Sequence, residues 1–220
     1  MSFLSTIINA ILNVAFPINC VSCGIPDSDF CLSCLAKAPS AERETAEWIF
    51  PMYDYRHPPI KKSLWLLKYK NRKGLAVIFA EVLHGRILEE LSDLTLMENF
   101  NDSILIPIPL SKKRYRKRGY NQAELICKEL VNLDKGENFT IESNVLIKTK
   151  ETEHQAHIKD RNKRLKNLSG TFGVKNGESI KERNIILIDD ITTTGATLEE
   201  AKKVLKEAGA RKIIAFTVAH

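Results

Sequence analysis

Two neighbouring carboxylates, Asp189 and Asp190, end the apolar run Ile185-Ile186-Leu187-Ile188, and a turn of hydroxyls around one glycine follows them through Thr193, Thr194, Gly195, Ala196 and Thr197. A continuous apolar run is the pattern of a buried parallel strand, and ligands of open α/β sheets bind beyond the C-terminal ends of such strands. A helix is predicted to start at Thr197. Backbone N–H groups at a helix start, aided by the helix dipole, form a cradle for phosphate. Thr193, Thr194 and Thr197 add hydroxyl donors, and Gly195 lets the backbone approach a ligand closely. The two acids would repel a phosphate, so they must serve another part of the ligand. Sugar hydroxyls, which donate hydrogen bonds, are the natural partners.

Four cysteines form a second constellation: Cys20, Cys23, Cys31 and Cys34, spaced C-x2-C-x7-C-x2-C. Each pair offers two thiolates from a tight turn, and two pairs complete the tetrahedral sulfur shell that zinc prefers. Gly24 suits such a turn because it accepts positive φ. Four protein ligands leave no open position, so the expected role is structural. An iron–sulfur cluster is the competing reading. The fifth cysteine, Cys127, falls in a helical pattern and is expected to be a buried thiol.

Positive charge gathers in three runs. Lys61 to Lys73 carries six cations with Trp65 and Tyr69 among them, Ser111 to Arg118 carries six around Tyr115, and Lys159 to Lys166 carries five. Cations interleaved with aromatic rings suit a single-stranded nucleic acid, whose phosphates pair with the cations while bases stack on the rings. A solvated face, or a rim around the phosphate turn, would read the same way. The net charge of +6, from 33 Lys and Arg against 27 Asp and Glu, keeps a polyanion open as partner without requiring one.

The elements that must position these groups follow from pattern. Strand-like segments are expected at Glu47–Arg56 (at an edge, because of Pro51), Ser103–Leu110, Val145–Lys148, Asn184–Ile188 and Lys212–Val218. Helices are expected over Ile60–Leu91 with a break at Asn71–Gly74, over Asn121–Leu133, and over Thr197–Ala208. Strands alternating with helices predict an α/β domain with a parallel sheet. With 220 residues, 44% hydrophobic and 27% charged, the chain is neither disordered nor fibrous. The expected division is an N-terminal helix and cysteine ribbon over 1–45 and an α/β domain over 46–220. Phe3, Leu4, Ile7, Ile8, Ile11, Leu12 and Phe16 recur at helical spacing; Asn9, Asn13, Pro17 and Asn19 argue against a spanning helix. No Lys or Arg precedes this region, so it is not read as a signal peptide. A helix packed on the body is expected, with one lying on the inner membrane surface as the alternative.

The turn at 185–197 resembles the phosphoribosyl pyrophosphate (PRPP) signature of type I phosphoribosyltransferases. The resemblance widens to the ComF family of competence proteins. It runs from the N-terminal apolar helix and cysteine ribbon through LLKYKNR (residues 66–72), IPIPL (106–110) and the RGYNQAE element (118–124) to the PRPP signature. The segment His157 to Asn167 departs most, since His157 stands where the family has glutamine.

The resemblance implies a type I phosphoribosyltransferase-like fold in which Asp189 and Asp190 hold ribose hydroxyls and residues Thr193 to Thr197 hold the 5′-phosphate. Magnesium would accompany PRPP, its pyrophosphate lying near Pro107–Leu110 and a basic loop. Lys112, Lys113, Arg114, Lys117, Arg118, Arg161 and Arg164 are the candidates for pyrophosphate or DNA contact. The resemblance further implies cytoplasmic work in natural transformation, on incoming single-stranded DNA, with the competence helicase as partner and peripheral contact with the inner face of the membrane. Three functions stay open: a DNA-handling protein on a PRPP-binding fold, a working phosphoribosyltransferase with an unidentified base acceptor, and a non-catalytic nucleotide sensor.

Overall fold

The structure, a computed structural model, describes residues 18–42, 45–150 and 170–220. The N-terminal apolar segment and the third basic run, with His157, Arg161 and Arg164, lie outside the described residues. Strands β1 (Ile49–Tyr53), β2 (Ser103–Pro107), β3 (Phe139–Ile141), β6 (Asn184–Ile191) and β7 (Lys212–Ala219) build a five-stranded sheet in the order β1-β7-β6-β2-β3. Every pairing in it is parallel. Strands β4 (Leu146–Lys148) and β5 (Phe172–Val174) form a separate antiparallel pair. The predicted α/β architecture is therefore present, and Pro51 does sit on an edge strand, β1.

The sheet is buried on both faces, which is why its strands are apolar without alternation. On β6, Ile186 and Ile188 join one core with Leu105, Ile214 and Phe216, while Ile185 and Leu187 join the other with Ile104, Ile106 and Ile213. Helices α2 (Pro58–Tyr69), α3 (Gly74–Glu98) and α5 (Gln122–Asp134) cover the first face, and α6 (Ala196–Glu207) covers the second. Pro58 begins α2, where its missing N–H costs nothing. Asn99, in the left-handed conformation, stops α3 after Glu98, seven residues beyond the expected end at Leu91. Among the described residues no helix is long and apolar enough to cross a membrane.

Two expectations need correction. Ser111–Arg118 was expected as a basic loop; it is a short helix, α4 (Lys112–Arg118). Ser111 caps it by accepting from the Arg114 N–H at 3.4 Å, and Gly119 at φ 82° closes it. Strand β6 was expected to stop at Ile188, but it continues through both acids, because Asp189 and Ile191 stay in register with Thr217 and Ala219 of β7.

The cysteine ribbon includes a four-residue helix, α1 (Leu32–Leu35), and does not stand apart from the α/β body. Cys20, Phe30 and Leu35 are buried in the same core as Leu64 and Leu67 of α2 and Leu75 and Phe79 of α3. Asp29 pairs with Arg72 at 3.3 Å across the junction. Burial pushes the Asp29 carboxyl upward, and the Arg72 charge opposes that shift.

Candidate functional site

In a strand, adjacent side chains leave opposite faces of the sheet. Asp190 shares the parity of Ile186 and Ile188 and therefore meets the helices α2 and α5; Asp189 shares the parity of Ile185 and Leu187. Both nevertheless line one cavity of about 550 Å³, because it lies beyond the C-terminal ends of β2 and β6 and reaches round the sheet edge. Ile108, Pro109 and Leu110, just after β2, form part of its wall. Thr193 and Thr197 line it as well, as do Arg114, Lys117 and Arg118. Lys112 and Lys113 are exposed on α4 and do not line it. Thr194, Gly195 and Ala196 complete the turn between Thr193 and Thr197 without lining the cavity.

Gly195 has φ 74° and is the residue before α6. A Cβ there would lie 3.2 Å from the Ile49 Cδ1, so both conformation and space favour glycine. The N–H groups that open α6 are thereby presented beside the two acids.

Asp190 is almost fully buried, at 4% exposure, yet both its oxygens have partners. The Gln122 Nε2 donates to Oδ1 at 2.8 Å, and the Lys68 ammonium pairs with Oδ2. The Gln122 Oε1 in turn accepts from Arg118. A line of contacts thus runs from Arg118 through Gln122 and Asp190 to Lys68. Burial raises the Asp190 pKa, but the Lys68 charge, its hydrogen bond and the Gln122 amide outweigh burial and leave the carboxyl below its ordinary value. Asp189 goes the other way: burial and the neighbouring Asp190 charge push it well up. The two acids are therefore driven in opposite directions, Asp190 toward its ionised form and Asp189 toward its protonated one.

Lys68 and Gln122 were not among the expected site residues. Each lies in a quoted motif, LLKYKNR and RGYNQAE, but only the packing of α2 and α5 against β6 brings them together. That motif is also a structural joint. Tyr120 donates to the Leu67 carbonyl of α2, and the Asn121 Nδ2 donates to the Ile108 carbonyl at 3.0 Å. The Asn121 Oδ1 caps α5 by accepting from the Ala123 N–H at 3.1 Å.

Aromatic rings border the cavity. Trp65 and Tyr69, from successive turns of α2, line it while remaining about half exposed, and Tyr120 lines it from the buried side. The Arg118 guanidinium lies 5.3 Å from the Tyr69 ring centre and the Lys70 ammonium 5.3 Å from that of Trp65. The Arg118 Nε is buried and has no hydrogen-bond partner among the described residues.

The four cysteine sulfurs lie within 4.8 Å of one another, with Cys20–Cys31 and Cys23–Cys31 both at 3.7 Å. Four sulfurs about 2.3 Å from one zinc ion at tetrahedral angles stand about 3.8 Å apart, so the donor set and its spacing fit zinc. Gly24, at φ 77°, makes the turn of the first pair as expected. Cys127 is fully buried, and burial pushes its thiol well up, consistent with a packing role.

A model of the phosphoribosyl transferase domain matches residues 117–220, which include the acid pair, the hydroxyl turn and the whole RGYNQAE element. Among curated proteins, the chain is 28% identical over 202 residues to the DNA utilization protein YhgH of Shigella flexneri, covering 88% of this chain and 80% of that protein. It is 29% identical over 187 residues to competence protein F of Haemophilus influenzae, covering 83% and 75%. The chain is thus similar, over most of its length, to proteins named for DNA utilization and competence. Competence protein ComFC of Streptococcus pneumoniae is 37% identical over 125 residues, which is 56% of this chain and 50% of that one. A hypoxanthine phosphoribosyltransferase from Staphylococcus aureus overlays at a TM-score of 0.35 with 12% identity, covering 64% and 61% of the two chains, a likeness too loose to carry weight. Lys68, on α2, lies outside the matched phosphoribosyl transferase segment.

Proposed function

We propose that this chain, as a member of the ComF family, binds PRPP in the cavity beyond β2 and β6 and serves DNA uptake by handling incoming single-stranded DNA beside that cavity. The observation that supports it best is convergence: the acids, the hydroxyl turn and the cations Arg114, Lys117 and Arg118 line one cavity. In this reading Asp189 and Asp190 take the ribose hydroxyls and the turn takes the 5′-phosphate. The basic wall meets the pyrophosphate, which the magnesium salt of PRPP brings as substrate. The orphaned Arg118 Nε supports an anion there, since a buried donor without a partner costs free energy until one arrives. Zinc held by the four cysteines would brace the ribbon. Work inside the cell, at the inner membrane face and beside a helicase, belongs to the same proposal.

For the strand, α4 supplies cations and α2 supplies the half-exposed rings of Trp65 and Tyr69. The two ligands then share Arg114, Lys117 and Arg118, so the sites overlap. Calorimetry with PRPP, with and without a short single-stranded oligonucleotide, tests both parts. PRPP should bind alone, and the oligonucleotide should weaken it. DNA affinity should fall with added salt, with a slope of about −0.7 per neutralised phosphate. Changing Lys112, Lys113, Arg114 and Lys117 together to Gln should flatten that slope by up to about 3. Binding that stays level from low to physiological salt would remove the electrostatic surface.

A second reading, phosphoribosyl transfer to a base, draws on the flat rings of Trp65 and Tyr69 lining the same cavity. Positioning and the basic wall would stabilise charge on departing pyrophosphate. Pyrophosphate release that depends on one member of a panel of nucleobases is the required result, and a silent panel excludes it.

A further inference from the structure

Asp190 is already occupied. Its Oδ2 holds the Lys68 ammonium and its Oδ1 the Gln122 amide, and these are the oxygens that ribose hydroxyls would need. The Asp190 Oδ2 lies fully buried against Lys68, so a ligand that takes this oxygen must displace the ammonium, which must then go somewhere. The side chain is 18% exposed and sits in a wall that also carries Arg114, Lys117 and Arg118. Like charges oppose its move toward that wall unless an anion lies there. The backbone that carries it is fixed, because Leu64 and Leu67 in the preceding turn are buried and the Leu67 carbonyl accepts from Tyr120. Only the flexible stem of the lysine needs to turn.

Resting on the PRPP reading, we propose that Lys68 is a specificity-determining residue: it guards Asp190 in the free cavity and transfers to the pyrophosphate arm when sugar hydroxyls take its place. The exchange favours a ligand that brings a vicinal diol and a second anionic arm together. Ribose 5-phosphate brings the diol and one phosphate, which the hydroxyl turn holds, but nothing for the released ammonium. A lone diol meets the guard unaided. The division of the acid pair agrees with this arrangement, since Lys68 is the main attraction that keeps Asp190 ionised against burial.

The test is calorimetry of the intact protein with two probes, magnesium PRPP and ribose 5-phosphate, on the wild type, Lys68→Met and Lys68→Arg. Lys68→Met should weaken PRPP by about tenfold or more, the scale of a lost charge-assisted contact, and change ribose 5-phosphate by less than about threefold. Lys68→Arg should recover part of the PRPP affinity. The ratio of the two affinities is read within each variant, so partial unfolding affects both probes alike and leaves the ratio intact. Equal losses for both probes would make Lys68 a counter-ion of Asp190 and no more, and overturn the inference. Unchanged affinities would overturn it too. A wild type that binds PRPP while its variants keep the ratio sinks this inference alone; a wild type that binds neither probe removes the PRPP reading and this inference with it.

Discussion

Replacing Asp189 and Asp190 together by Asn should sharply weaken PRPP binding while single-stranded DNA still binds. A sugar hydroxyl bonded to the ionised Asp190 contributes about 1.5–3 kcal/mol, and one bonded to Asp189, whose pKa is pushed well up, about 0.5–1.5 kcal/mol. Together they amount to about 2–4.5 kcal/mol, or a loss of roughly 30- to 2,000-fold in affinity. The loss has a second source in the division of the pair. With Asp190 neutral, the Lys68 ammonium no longer has its partner in the pocket and turns outward, so the arrangement that receives the ligand is gone. DNA affinity should hold or rise slightly, because removing negative charge beside Arg114, Lys117 and Arg118 cannot reduce attraction to a polyanion. Calorimetry measures the first effect and filter binding or fluorescence anisotropy the second. PRPP affinity within about threefold of wild type would remove the acids from the ligand site. Loss of both ligands in a variant with an unchanged melting temperature would mean that DNA enters through the sugar site itself.

The sequence made the hydroxyl turn legible because its elements are local. An apolar strand, two acids and a glycine-centred turn lie within thirteen consecutive residues, Ile185 to Thr197, and their chemistry follows from order alone. The cysteine cluster was legible for the same reason. Even the opposite orientations of Asp189 and Asp190 follow from strand alternation once β6 is known to run through both. What occupies Asp190 was not legible. Lys68 is an ordinary cation in a basic run until α2 is packed across the sheet face, and its spacing within that run gives no sign of a carboxylate partner. Strands β3 and β5 were missed because three residues carry too little periodicity to separate a strand from a loop. Helix α4 was read as charge alone, since six cations mask the Ser111 cap and the Gly119 stop that define it.

The ribbon gives the second large effect. Chelating the metal, or changing Cys20 and Cys31 together to Ser, should lower the melting temperature and also weaken PRPP binding at a distance from the cavity. Cys20, Phe30 and Leu35 pack into the core that holds Leu64 and Leu67 of α2, and Asp29 ties the ribbon to Arg72 in the short connection after that helix. The binding energy of a structural zinc ion is largely folding energy, so its loss releases the ribbon. Exposing Phe30 and Leu35 then costs about 3–6 kcal/mol. At about 2–4 °C per kcal/mol for a chain of this size, the transition should fall by roughly 6–24 °C. The effect on ligand follows from geometry: α2 carries Lys68, Trp65 and Tyr69, so a loosened α2 loses its hold on Asp190 and on the ring wall together. Metal analysis should find one zinc per chain, released in step with the fall in melting temperature. A visible absorption band with iron and sulfide would assign an iron–sulfur cluster to the same cysteines. A chelated protein that melts as before would show that the ribbon's apolar packing stands without its metal, and PRPP binding unchanged under the same treatment would uncouple the ribbon from the cavity wall that α2 provides.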